Sequence, residues 1–337
     1  MRKLLNKLII PAVAVLLFAA YMVFIVSSYM HTPLQFDAPV AIELQRGAPV
    51  GSVVNQLQQK QLLQYPSYFM IWVRLNGVAK RLQAGEYTVQ PGQTLAELID
   101  DMVNGRVRHY AFTLVEGWTF SDVMRAIQRD PILVRTLDDL DADAIMSKLG
   151  HEGEHPEGRF YPDTYFIHRQ TTDAELLQRA YRQMAQRLRV LWAGRDPGLP
   201  FDTPYQTLIL ASIVEKESAV AEERPLIAGV FINRLHKGMR LQTDPTVIYG
   251  LGDSYDGDIR FRDLRKDTPY NTYTRSGLPP TPIAMPGLGS LTAVMHPQQT
   301  DYLYFVAYGD GSGRHLFSST LDEHEKAVEH YQRKRKK

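Results

Sequence analysis

Between Leu8 and Val26 the chain carries no charged residue. At 1.5 Å of rise per residue this stretch makes a helix of about 28 Å, enough to cross the hydrocarbon core of a bilayer. Pro11 sits near its start, where a helix tolerates it. Arg2, Lys3 and Lys7 precede the run, so residues 1–7 are expected in the cytoplasm and the chain beyond the span on the far side of the inner membrane. A cleaved signal peptide has a shorter apolar core and a small-x-small exit; here the exit is Ser27-Ser28-Tyr29-Met30. The reading is a single uncleaved transmembrane helix, residues 8–26.

At 337 residues the chain is long enough for two domains behind that anchor. The formal net charge of +1 argues against nucleic acid as a partner, because phosphate binding needs a strong basic excess. Cysteine is absent, which excludes disulfides, thiolate nucleophiles and Cys zinc sites. No P-loop, Rossmann or G-x-S-x-G pattern occurs, so phosphate-loop, dinucleotide and nucleophile-elbow chemistry find no support. No cofactor is expected.

From residue 38 to 130 a pattern recurs three times, at 41–59, 84–105 and 110–128: a short alternating run, a Gly turn, then an amphipathic helix. In the second copy Thr94 is placed to N-cap its helix, with Glu97 closing a capping box. Tyr68–Leu75 reads as an apolar helix. Residues 131–150 read as helical, with Asp138, Asp139, Asp141 and Asp143 on a solvated face. His151, Glu154 and His155 do not make a metal site on pattern, since Gly and Pro between them break any shared helical face. Residues 172–191 read as an exposed basic amphipathic helix. Near the C-terminus a strand over 302–308 turns at Asp310-Gly311 and returns over 315–317, and the basic tail 331–337 reads as disordered and able to touch anionic headgroups.

The stretch from Thr203 to Gly250 carries the chemistry. Thr203 can N-cap a helix and Pro204 suits its first turn. Two carboxylates follow two residues apart, Glu215 and Glu217. On a helix that spacing puts them on different faces. Glu217 shares its side with Leu210, Ile213, Val214 and Val220, whereas Glu215 lies with Leu208, Ala211, Ser212, Ser218 and Ala219. Glu217 is therefore the acid on the more apolar stripe, where desolvation should let it hold a proton near neutral pH as a general acid must. The loop Met239–Gly250, dense in polar groups and turn formers, suggests a polar cleft beside it.

The segments LASIVEKES, VFINRL and GMRLQTDPTVIYG, with EGRFYPDTY at 157–165, YNTY at 270–273 and GLPPTPIAMPG at 277–287, make the chain similar to the YceG/MltG family of endolytic murein transglycosylases. The resemblance covers nearly everything after the first 30 residues. It implies that Glu217 is the catalytic acid, followed by Ser218 as in other lytic transglycosylases. It also implies cleavage of nascent peptidoglycan glycan strands with a 1,6-anhydro ring on N-acetylmuramic acid, near the elongation-type synthases. PGQTLAEL resembles a LysM module, which binds the N-acetylglucosamine backbone; Trp118 and Tyr87 are its exposed-aromatic candidates or core residues.

Gln242, Asp244, Asn271, Tyr273 and Ser218 are then the candidates for holding substrate, although Asp244 and Asn271 equally suit turn or cap roles. Asn233 is placed to bond the cleft or a neighbouring loop. The expected architecture is α+β: a transmembrane helix, a LysM-like region over 38–130 and a mixed catalytic domain over 150–330. Two other functions fit the same chain: a non-catalytic peptidoglycan-binding anchor for the synthases, and a muramidase that uses water with Asp244 as its second carboxylate.

Overall fold

A computed structural model describes residues 2–333, with side chains from Ile9 to Tyr331. Met1 and 334–337 lie outside the described residues; of the end segments, residues 2–7 open the first helix, and 331–333 end the helical stretch Glu329–Arg333, so the tail expected to be disordered is helical at its start. The first helix, α1 (Arg2–Met30), runs four residues past the expected end at Val26. Its stretch Ile9–Met30 is long and apolar enough to cross a membrane, and its apolar side chains stand open, Ile10 at 70% and Phe24 at 68% exposure. The end of the helix differs. Val26 and Met30 are buried in a core with Phe69 and Val73, and the Tyr29 hydroxyl accepts hydrogen bonds from the backbone N–H of Gln64 (3.0 Å) and Tyr65 (3.2 Å). The apolar run ends inside a folded unit, so cleavage at residues 27–30 would remove core side chains.

The chain forms two compact units. The first takes in the chain up to Tyr110 with Ile132–Val134 and Phe166–Thr171; the second takes in the rest. Beyond α1 the first holds β1 (Val40–Leu44), α2 (Val50–Gln59), α3 (Pro66–Leu75), β2 (Gly85–Val89) and α4 (Leu95–Asn104). β1 and β2 pair antiparallel, with Ile42 opposite Tyr87. Both are buried with Leu57, Leu98 and Met102 from the helices, and β2 is covered on its other face too, where Glu86 is 4% exposed. Thr94 caps α4: it accepts from Glu97 N (3.2 Å), and Glu97 accepts from Thr94 N (2.8 Å).

The following elements are β3 (Tyr110–Thr113), α5 (Phe120–Arg129), α6 (Ala142–Lys148), β4 (Thr164–Ile167), α7 (Asp173–Ala193), α8 (Pro204–Glu217), α9 (Arg224–His236), α10 (Asp244–Leu251), α11 (Phe261–Arg265), α12 (Leu288–Met295), β5 (Tyr304–Ala307), β6 (His315–Ser318) and α13 (Leu321–Val328). β3 pairs with β4, and β5 with β6 in an antiparallel hairpin. The helix expected across 131–150 shrinks to α6. The buried Asp173 carboxylate explains this, because it accepts from Thr136 N and Leu137 N at 3.0 Å and holds the segment before α6 as an irregular loop. α8, α9 and α12 pack around Leu210, Ile213, Phe231 and Leu291, all at most 1% exposed. Burying each such side chain stabilises the unit by about 1.5–3 kcal/mol. Gly229 on α9 lets the chain at Gln298 pass close by; a Cβ there would lie 2.5 Å from the Gln298 carbonyl oxygen.

Candidate active site

α8 begins as its sequence requires. The Thr203 hydroxyl accepts from Gln206 N (3.4 Å), the Gln206 amide oxygen accepts from Thr203 N (3.3 Å), and Pro204 fills the first turn. From Thr207 to Val214 every residue is buried. The contrast between an apolar and a more polar stripe therefore does not separate the two glutamates. The last turn of the helix does, because each carboxylate there meets a different neighbour.

Glu215 turns to the start of α12. Its carboxylate pairs with Arg224 at 3.1 Å and accepts from Gly287 N (2.9 Å) and the Ser290 hydroxyl (2.7 Å). Glu217 turns to a cleft of about 520 Å³ whose wall also carries Gln242, Asp244 and Tyr273. It accepts a hydrogen bond from the Thr243 hydroxyl. Burial raises its carboxyl to about 7 and the nearby Asp244 charge adds to the rise, against the lowering effect of the Thr243 bond. Glu217 is thus poised to hold a proton at neutral pH.

The loop under Glu217 is held by threonines. Thr243 N donates to the Thr272 hydroxyl (3.1 Å), and the Thr246 hydroxyl donates to the Thr243 carbonyl (2.8 Å). Gln242 has φ of 53°, a left-handed conformation uncommon outside glycine. Asp244, exposed at the start of α10, accepts from the Tyr273 hydroxyl at 2.6 Å. Burial, followed by the Asp244 bond, pushes the Tyr273 phenol far up, so it stays a donor.

Four of the six expected site residues, Glu217, Gln242, Asp244 and Tyr273, thus share one cleft. Asn271 and Ser218 do not line it. Asn271 is 1% exposed; its amide nitrogen donates to the carbonyls of Leu264 and Lys266, and its oxygen accepts from Tyr273 N at 2.8 Å. The Ser218 hydroxyl donates to Val220 O and accepts from Val220 N, closing the turn after α8. Both are spent on backbone, one beneath Tyr273 and one beside Glu217, so the expected substrate contact is replaced by support of its neighbours. Asn233 bonds the neighbouring loop, donating to Thr300 O (2.7 Å) and Tyr302 O (3.1 Å).

Arg234, one residue on, reaches the cleft and was not singled out from the sequence. Its donors go to the carbonyls of Leu303 (2.6 Å) and Leu241 (2.8 Å), and its guanidinium lies 5.0 Å from the Tyr304 ring centre. Burial lowers its affinity for its proton. An arginine between Ile232 and Leu235 in the last turn of a mostly apolar helix is the signal that could have found it. Glu157, in the EGRFYPDTY segment, is 3% exposed and accepts from Phe120 N (3.0 Å) and the Tyr249 hydroxyl (3.0 Å), so this carboxylate braces α5 and α10. His151 stacks on Tyr181, and Glu154 accepts from the Tyr181 hydroxyl at 2.7 Å.

Residues 42–330 match the YceG-like family. Over 328 residues the chain is 31% identical to an endolytic murein transglycosylase of Bacillus subtilis, spanning 91% of this chain and 89% of that one. It is 26% identical to an endolytic murein transglycosylase of Streptococcus pneumoniae, spanning 86% of this chain and 58% of that one. A crystal structure of a YceG-like protein from Listeria monocytogenes aligns at a TM-score of 0.54 with 30% identity, over 86% of this chain and 99% of that chain.

Proposed function

This chain belongs to the YceG-like family, and on that premise we infer that it is an endolytic murein transglycosylase, a lyase that cuts peptidoglycan glycan strands between N-acetylmuramic acid and N-acetylglucosamine. The observation that carries the mechanism is a carboxylic acid, Glu217, raised to about 7 by burial at the edge of the cleft. Glu217 protonates the glycosidic oxygen as the bond breaks. The carboxylate so formed takes the proton of the muramic C6 hydroxyl, which attacks its own anomeric carbon and closes the 1,6-anhydro ring. Because the substrate supplies the nucleophile, the step gains the advantage of an intramolecular reaction. Thr243 orients the acid, while Gln242, Asp244 and Tyr273 hold the sugars; Asn271 fixes Tyr273 from behind. Cleavage of nascent strands beside the elongation synthases sets strand length.

The anchor reading rests on α1. The cations before it leave the N-terminus in the cytoplasm and place the catalytic domain in the periplasm. The full-length protein is expected to stay in the inner-membrane pellet through alkaline carbonate extraction; release of a protein beginning near residue 30 contradicts it. The LysM-like reading is proposed for the strand–helix pairs β1–α2 and β2–α4 of the first unit; α5, the helix of the third copy, falls in the second unit. Tyr87 and the Thr94 hydroxyl are taken by the fold, so sugar contact there falls to other side chains.

Endolytic action is tested by digesting uncrosslinked glycan strands with the purified full chain in detergent micelles. Mean strand length should fall early, with little free disaccharide. Stepwise release of disaccharide from strand ends is the opposite result.

A further inference from the structure

The wall of the cleft formed by the β5–β6 hairpin carries a second polar group. His315, on β6, lines the same cleft as Glu217. Its Nδ1 lies 2.8 Å from Glu223 Oε2, and both Glu223 oxygens accept from the His315 main-chain N–H at 3.2 Å. The pair is shielded, with side-chain exposures of 10% and 11%. Glu223 ends the short 3₁₀ turn Ala221–Glu223 that joins α8 to α9, six residues after the acid.

This arrangement decides the hydrogen-bonding character of the ring. An ionised carboxylate only accepts, so Nδ1 carries the proton facing Glu223. In the neutral imidazole Nε2 then bears a free lone pair. Among the described residues no hydrogen bond reaches Nε2, and it is not a sealed, unsatisfied atom. The Phe305 ring stands edge-on to the imidazole at 5.3 Å and 86°, fixing its plane. With the neutral ring held in this tautomer, that lone pair is the polar atom His315 offers to the cleft it lines. A glycan offers two donors of the matching kind, ring hydroxyls and acetamido N–H groups.

We propose that His315, oriented by Glu223, is a glycan-binding residue whose Nε2 accepts a hydrogen bond from a sugar hydroxyl or acetamido N–H, making the β5–β6 wall the subsite for a sugar next to the one at Glu217. His315 touches substrate; Glu223 is a positioning residue. The inference rests on the transglycosylase reading of the cleft, and it adds the residues that hold the strand while Glu217 acts.

A structural alternative exists, since the pair also ties the hairpin to the turn after α8. Two substitutions separate the roles. In His315→Asn the amide nitrogen replaces Nδ1, so the bond to Glu223 persists and the Nε2 acceptor is gone. In His315→Gln the side chain still reaches the cleft and the Nδ1 bond is lost. Binding of an uncrosslinked glycan oligosaccharide is measured on the full chain in the Glu217→Gln background, where cleavage is blocked. We expect His315→Asn to weaken binding about 10-fold or more at unchanged Tm, and to raise KM rather than lower kcat in the parent protein. His315→Gln should lower Tm and lose less binding. Parental affinity in His315→Asn, or loss of Tm and binding together in that variant, overturns the proposal. Strand cleavage persisting in Glu217→Gln alone is a different failure, of the catalytic assignment and not of the subsite.

Discussion

Replacing Glu217 by glutamine lowers strand cleavage at least ~10²-fold, the lower range for loss of a general acid–base group. Glutamine keeps the shape of the side chain and can still accept from Thr243, but it delivers no proton. The variant should fold as the parent does and still bind glycan, which separates an enzyme from a non-catalytic anchor. The pH dependence has a definite sign. Burial raises Glu217 to about 7, so the acid is loaded below that pH and empties above it. The rate should fall as pH rises through about 7, and no such limb can come from this residue in Glu217→Gln. A variant that keeps parental activity removes Glu217 from the reaction.

Glu215→Leu should instead unfold the second unit more easily. Breaking a buried ion pair by removing one partner costs about 3–5 kcal/mol, because the remaining charge stays buried and unpaired. Glu215 is 5% exposed and Arg224 15%, and Arg224 Nε already has no partner among the described residues. The start of α12 leaves little room to adapt: a Cβ on Gly287 would lie 1.9 Å from the Glu116 carboxylate, whose own acid is raised by burial and by Glu215. The loss is read as a lower denaturant midpoint at unchanged m-value. The folded fraction should retain most of its activity. A variant of parental stability that is as inactive as Glu217→Gln would reverse the roles of the two glutamates.

Those two residues also mark how far the sequence could be read. Local signals were legible because their physics is local: the capping boxes at Thr94 and Thr203, the strand Gly85–Val89 leading into α4, the hairpin that turns at Asp310, the apolar run of α1. The choice of Glu217 was right about the cleft for an incomplete reason. α8 is buried on all sides in its middle, and the glutamates are told apart only by α12 and the Thr243 loop, which lie far along the chain. Asn271 and Ser218 carry polar side chains in the right segments, yet those side chains bond nearby backbone and do not line the cleft. The helix expected over 131–150 failed for the same reason, since Asp173, outside the segment, captures its backbone. The Glu223–His315 pair is separated by 92 positions and leaves no local pattern at all.

The central claim is that one acid serves twice because the substrate brings its own hydroxyl. It is tested most directly by digesting uncrosslinked strands in water labelled with heavy oxygen and weighing the new muramic ends. If the C6 hydroxyl attacks, the ends are anhydro, carry no label and are lighter by one water than hydrolytic ends. If water attacks, the ends are reducing and labelled. A second carboxylate, with Asp244 the one in this cleft, would then be needed, and the chain would be a hydrolase.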